Sequence, residues 1–124
     1  MNRQRPVNLD LGTLRFPPMA IASILHRLTG LALFVLTPFL IYLLSVSLAS
    51  EASFARAQAL VAMPLWKCVI WAFACALFYH VLAGIRHLVM DFGVGESVEG
   101  GRKSAIAVIA LAVVYAFLLG VWLW

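Results

Sequence analysis

The chain has 124 residues, 65% of them hydrophobic and 11% charged, with a mean hydropathy of +1.02, too apolar for an ordinary soluble domain. A net charge of +4 in a soluble protein would suggest a nucleic-acid partner; here the cations flank apolar runs, which removes nucleic acid from consideration and makes them reporters of membrane orientation. Residues 28–50, 68–85 and 104–124 contain no Asp, Glu, Lys or Arg and run for 23, 18 and 21 residues. About 20 apolar residues cross a bilayer, so the prediction is an all-α membrane protein with three transmembrane helices. What remains is too short for a soluble catalytic domain.

In chain order, residues 1–16 form a polar, Arg-rich arm without helical periodicity, expected to lie extended at the membrane surface, and residues 17–124 form one three-helix domain. Pro17-Pro18 suits the first turn of a helix, where a missing N–H costs nothing, and the first span is placed at about 20–50. Run from Pro17 to Ser50, that helix exceeds about 45 Å at 1.5 Å per residue. Its first turns must therefore sit at the interface or line a protein cavity. Pro38 frees the carbonyl of Phe34 and predicts a kink. Ser47-Leu48-Ala49 resembles a signal-peptide cleavage site, but the apolar run is too long and its polar lead too extended for a signal peptide, so the span is expected to be retained.

A Ser/Ala-rich stretch over 51–63 reads as an interfacial, helical linker. Pro64 marks the next helix start, with a span over about 64–90, and 91–103, with four glycines and three acids, reads as a loop before the span at 104–124. Trp66, Trp122 and Trp124 fall at expected interfacial positions. Cys68 and Cys75 are about 10 Å apart along one helix, too far to bridge. Arg3, Arg5, Arg15 and Arg27 precede span one, Arg56 and Lys67 follow it, and Arg86, Arg102 and Lys103 lie between spans two and three. The positive-inside rule then puts the N-terminus and the second loop in the cytoplasm and the C-terminus in the periplasm.

Titratable groups inside or beside a span are costly and usually mark function. Ser23, His26, Arg27 and Gly30 fall within one arc of the first helix. Arg27 offers five donors and cannot lose its proton, so it can hold a carbonyl or carboxylate oxygen but cannot supply a proton; alternatively it snorkels to the headgroups. On the second helix His80, Gly84, His87 and Asp91 form a stripe about 60° wide. An imidazole one turn from a glycine suits a porphyrin, the His on iron and the macrocycle against the bare backbone; equally, His80 could make an interhelical hydrogen bond with Gly84 as a packing notch. His87 is placed for a propionate at the membrane edge, or is simply solvated with Asp91. The chain has no HExxH, P-loop, GxGxxG or nucleophile elbow, and no residue at i+3 or i+4 from His80 that would make a zinc site.

Arg5-Pro6-Val7-Asn8-Leu9-Asp10-Leu11, then Ala20-Ile21-Ala22-Ser23-Ile24-Leu25-His26-Arg27-Leu28-Thr29-Gly30, then His80-x-x-x-Gly84-Ile85-Arg86-His87-Leu88-x-x-Asp91 closely resemble the cytochrome b subunit family of bacterial succinate dehydrogenases. The resemblance covers nearly the whole chain. It implies an inner-membrane anchor of respiratory complex II, with a flavoprotein, an iron–sulfur subunit and a second membrane-anchor subunit as partners and with electrons delivered to ubiquinone. It further implies that His80 is an axial ligand of haem b, the other ligand coming from the second anchor, and that Ser23 and Arg27 line the quinone pocket. His26, Arg27, Gly84 and His87 would be near the haem, and His87 and Asp91 are candidates for a proton relay. A haem-containing anchor of a related fumarate reductase is the runner-up, followed by a cofactor-free small membrane assembly protein. The five Asp and Glu residues all lie outside the charge-free runs, which argues against a proton-coupled transporter.

Overall fold

A computed structural model describes residues 10–124; the Arg3 and Arg5 cations and the Arg5–Leu9 part of the N-terminal motif lie outside the described residues. Four α-helices follow a single 3-10 turn over Leu11–Thr13: α1 Pro18–Ala49, α2 Glu51–Ala62, α3 Pro64–Asp91 and α4 Val98–Leu123. The turn corrects the expectation of an arm extended throughout. Its cause is local, because Asp10 Oδ1 accepts the Gly12 N–H at 3.0 Å and the Asp10 carbonyl accepts the Thr13 hydroxyl at 2.9 Å, the side-chain chemistry that favours turns.

α1, α3 and α4 are long and apolar enough to cross a membrane. At 1.5 Å per residue they are about 48, 42 and 39 Å long, more than the roughly 30 Å hydrocarbon core, so each extends into the interfacial zone. α1 ends where Ser50 turns extended (φ −168°, ψ 168°) and caps α2 reciprocally with Ser53, two orphan donors satisfied at once. The linker is thus the helix expected there.

The second loop is shorter than predicted, Phe92–Ser97 instead of 91–103. Ser97 starts α4 early by accepting the Gly100 N–H at 3.0 Å, which brings Gly100 and Gly101 into the helix. Gly101 is there because space is lacking: a Cβ would sit 2.7 Å from Met19 Sδ and 3.8 Å from Arg86 Nη2. Gly93 and Gly95 hold the loop with φ of 81° and 77°, the left-handed region glycine enters without penalty.

The three spans run up, down and up. The start of α1 meets the end of α3 through His26, His80 and His87, while its far end meets the start of α3 where Tyr42 stacks on Trp66 at 6.3 Å. α4 is fastened to α3 by Trp71 Nε1 donating to the Ala116 carbonyl at 2.9 Å, by Lys67 Nζ donating to the Leu123 carbonyl at 2.8 Å, and by Phe78 stacked on Tyr115. Among the described residues, five of the seven buried hydrophobic ones are alanine. Small residues let helix backbones approach where lipid removes the hydrophobic driving force, and the large apolar side chains such as Phe34, Leu48 and Phe117 point outward. Both cysteines are free thiols, as their spacing requires.

Candidate functional site

Three imidazoles converge where α1 and α3 cross. The His26 ring lies 4.2 Å from that of His80, with planes 32° apart, and 5.0 Å from that of His87, with planes 25° apart. His26 is therefore the middle of a three-ring stack, although on sequence it belongs to the other cluster.

His80 is half-buried and held by one nitrogen. Its Nδ1 is 3.1 Å from the His26 carbonyl and 3.2 Å from Thr29 Oγ1. A carbonyl oxygen only accepts, so these partners assign the proton to Nδ1 and leave the lone pair on Nε2. Thr29 takes part because its own hydroxyl turns back to the Leu25 and His26 carbonyls and presents its oxygen to the imidazole. An N–H tied to a carbonyl while the other nitrogen remains unbonded is how proteins orient a metal-binding histidine. His87 repeats the pattern locally, its Nδ1 2.7 Å from the Ala83 carbonyl.

Both glycines of the predicted clusters face imidazoles. A Cβ on Gly30 would fall 3.1 Å from His80 Cε1, tighter than ordinary contact, whereas one on Gly84 would meet His26 Nε2 at 3.8 Å. Gly30 is thus the residue whose missing side chain lets His80 approach α1, and His26 lies over the bare backbone at Gly84.

The remaining predicted residues stand apart from this stack. Ser23 is half-buried and Arg27 and Asp91 are exposed, and none of the three makes a side-chain hydrogen bond or ion pair among the described residues. Arg27 therefore presents an unpaired guanidinium one residue beyond His26. Asp91 is not bonded to His87, despite the i, i+4 spacing. No group of three or more His, Cys, Asp or Glu among the described residues is placed to hold a bare metal ion. A cleft of about 470 Å³ between α1 and α2, lined by Leu40, Leu43, Leu44 and Phe54 among others, lies at the opposite end of the bundle and has no titratable group.

Sequence reasoning missed two residues that fix this geometry. Tyr79, adjacent to His80 and buried, donates its hydroxyl to the Ala22 carbonyl at 2.8 Å, pinning α3 to α1 one residue before Ser23. Arg86, read from sequence only as a flanking cation, is 8% exposed; its Nε donates to Ser104 Oγ at 2.9 Å and its Nη2 to the Gly101 carbonyl at 3.1 Å. The signal was available, because Arg86 lies roughly 130° around α3 from the histidine stripe and so faces a different helix.

Fold and site together define a multi-pass α-helical membrane protein with an oriented imidazole between its first two spans. Residues 1–119 match the family described as succinate dehydrogenase/fumarate reductase transmembrane subunit. The chain is 46% identical to the succinate dehydrogenase cytochrome b556 subunit of Coxiella burnetii over 125 residues, 100% of each chain. It is 39% identical to the cytochrome b556 subunit of Paracoccus denitrificans over 92% of this chain and 88% of that one. To the cytochrome b560 subunit of Reclinomonas americana it is 30% identical, over 95% and 85%. The chain belongs to the succinate dehydrogenase cytochrome b556 subunit family, as an inner-membrane, multi-pass anchor subunit of the succinate dehydrogenase/fumarate reductase class.

Proposed function

We propose that this chain is the cytochrome b anchor of a succinate:ubiquinone oxidoreductase, holding haem b jointly with a second anchor subunit and forming part of the ubiquinone-reduction site. The observation that supports it most is His80, its Nδ1–H directed to the His26 carbonyl and Thr29 and its Nε2 left without a hydrogen bond. The donor set fits a haem: neutral imidazole is a common axial ligand to haem iron, and the N–H bond to a carbonyl raises its basicity. When bound, haem b supplies one-electron transfer.

His80 Nε2 would hold the haem iron, with Gly84 beside the group and His26, Arg27 and His87 toward its propionates. The His26 ring packs against that of His80, with centroids 4.2 Å apart and planes 32° apart; a second ligand to the iron would come from the partner anchor. Ser23 and the exposed Arg27 would orient ubiquinone, the guanidinium stabilising negative charge that develops on its oxygen; protons reach it from other groups, His87 and Asp91 being candidates.

Orientation follows from the cations. The bundle end formed by the starts of α1 and α4 and the end of α3 carries Arg15, Arg27, Arg102 and Lys103, with Arg3 and Arg5 preceding them, against Arg56 and Lys67 at the other end. The positive-inside rule makes the first end cytoplasmic, the side on which flavoprotein and iron–sulfur partners would dock, and leaves the C-terminus periplasmic. The three relatives described above all carry the succinate dehydrogenase name, which favours succinate oxidation over fumarate reduction.

The test is to purify the protein from membranes with its accompanying subunits and compare wild type with His80→Leu. Expected are a b-type dithionite-reduced minus oxidised signal in wild type, lost or shifted in the variant, and succinate–ubiquinone reductase activity in wild type. A wild-type preparation without haem would overturn the cytochrome reading, and an unchanged variant spectrum would return His80 to helix packing.

A further inference from the structure

On the α3–α4 side, away from the histidine stack, the molecule holds a positive charge that this function does not use. Arg86 is 8% exposed, and both its partners, the Ser104 hydroxyl and the Gly101 carbonyl, are neutral. The one ion pair among the described residues is Lys103 with Glu99, and residues 1–9 contain no acid. Nη1 makes no hydrogen bond; since no side-chain nitrogen or oxygen among the described residues is both buried and unpaired, Nη1 is the edge through which the guanidinium reaches the outside. Arg86 also lines a cavity of about 310 Å³, shared with Val89, Met90, Ser104, Ala107 and Val108. A guanidinium cannot shed its proton, and a charge in an apolar cleft needs an opposite charge. This chain does not supply one.

We propose that the crevice between α3 and α4 at Arg86 binds an anionic phospholipid, its phosphate on Arg86 Nη1 and an acyl chain along Val89, Met90, Ala107 and Val108. The position selects a lipid over a free anion. The cleft lies at the last turns of one span and the first turns of the next, where headgroup meets hydrocarbon. All its lining save Arg86 and Ser104 is apolar or glycine, and Val89 and Val94 at its rim are 42% and 61% exposed. Basic pockets between transmembrane helices are suited to acidic headgroups, and a charge-assisted bond from guanidinium to phosphate is among the stronger contacts available. The one proton of Ser104 is directed to the Gly101 carbonyl, so Arg86 is the donor.

The test titrates the protein, purified with whatever subunits accompany it and then delipidated, with phosphatidylglycerol or phosphatidylcholine and counts retained lipid by native mass spectrometry. Wild type is expected to retain phosphatidylglycerol at least about fivefold better, the scale of one basic side chain near a membrane surface. Ala107→Glu places a carboxylate in the cleft while leaving the Arg86 bonds to Ser104 and Gly101 in place, and is expected to abolish the preference, as is Arg86→Gln. Equal retention of the two lipids by wild type, or a preference unchanged in Ala107→Glu, overturns the proposal. Displacement of the lipid by equimolar inorganic phosphate overturns the choice of a lipid. Loss of an accompanying subunit from both variants, with lipid retention unchanged, assigns the counter-charge to a partner protein and overturns it too.

Discussion

Replacing Gly30 with alanine sets two physical effects against each other, and their magnitudes predict that the protein stays folded while its histidine loosens. Alanine is better than glycine in a helix interior by about 1 kcal/mol, so α1 itself gains. The new Cβ, however, would stand 3.1 Å from His80 Cε1, against a comfortable carbon–carbon separation of roughly 3.5–4.0 Å, so the imidazole must retreat by about 0.5 Å. Its Nδ1 bonds, now 3.1 Å and 3.2 Å, then stretch beyond useful length. One proton serves both, so the loss is one hydrogen bond, about 0.5–1.5 kcal/mol, and net stability changes by less than about 1 kcal/mol. The cofactor site is affected more, because loss of a bond that orients a metal-binding histidine typically costs about 10–100-fold in affinity. The assay is haem retained per purified protein during dilution, by pyridine haemochrome, beside thermal unfolding of the same samples. Gly30→Ala should lose haem at far lower dilution than wild type at similar unfolding temperatures. Equal haem retention in Gly30→Ala and wild type would refute the role given to the His80 anchor.

Other substitutions separate the parts of the account. Arg27→Leu should lower ubiquinone reductase activity at least about tenfold, the scale of one donor to developing charge; full activity in membranes would remove it from the quinone site. Tyr79→Phe should destabilise the protein by about 1 kcal/mol, since the Ala22 carbonyl keeps its intrahelical partner, and chemical denaturation in detergent should detect no more than that. Gly93→Ala and Gly95→Ala should each lower stability by about 1–2 kcal/mol, because both positions require positive φ; thermal unfolding of the single variants measures it.

Much of this architecture was legible because the bilayer simplifies the reading. Charge-free runs of span length and prolines at helix starts place α1, α3 and α4 to within a few residues, except where Ser97 capped α4 ahead of two glycines. Those glycines suggested a loop because composition does not reveal that Met19 from another helix fills the space above Gly101. Periodicity put His80, Gly84 and His87 on one stripe, and the structure keeps them together. It could not place His26 between two rings of α3, because the register between α1 and α3 depends on contacts such as Tyr79 with Ala22 that no single helix encodes. Arg86 read as a flanking cation although its angle from the histidine stripe already set it on another face; only its partners on α4 required the structure.

The central claim is that His80 offers Nε2 to haem iron, and a cavity at that position tests it most directly. His80→Gly, purified with its accompanying subunits, should show a weakened or shifted b-type reduced-minus-oxidised signal that imidazole added to the buffer restores toward wild type. A wild-type spectrum in His80→Gly without imidazole would contradict the claim and move the ligand to another residue.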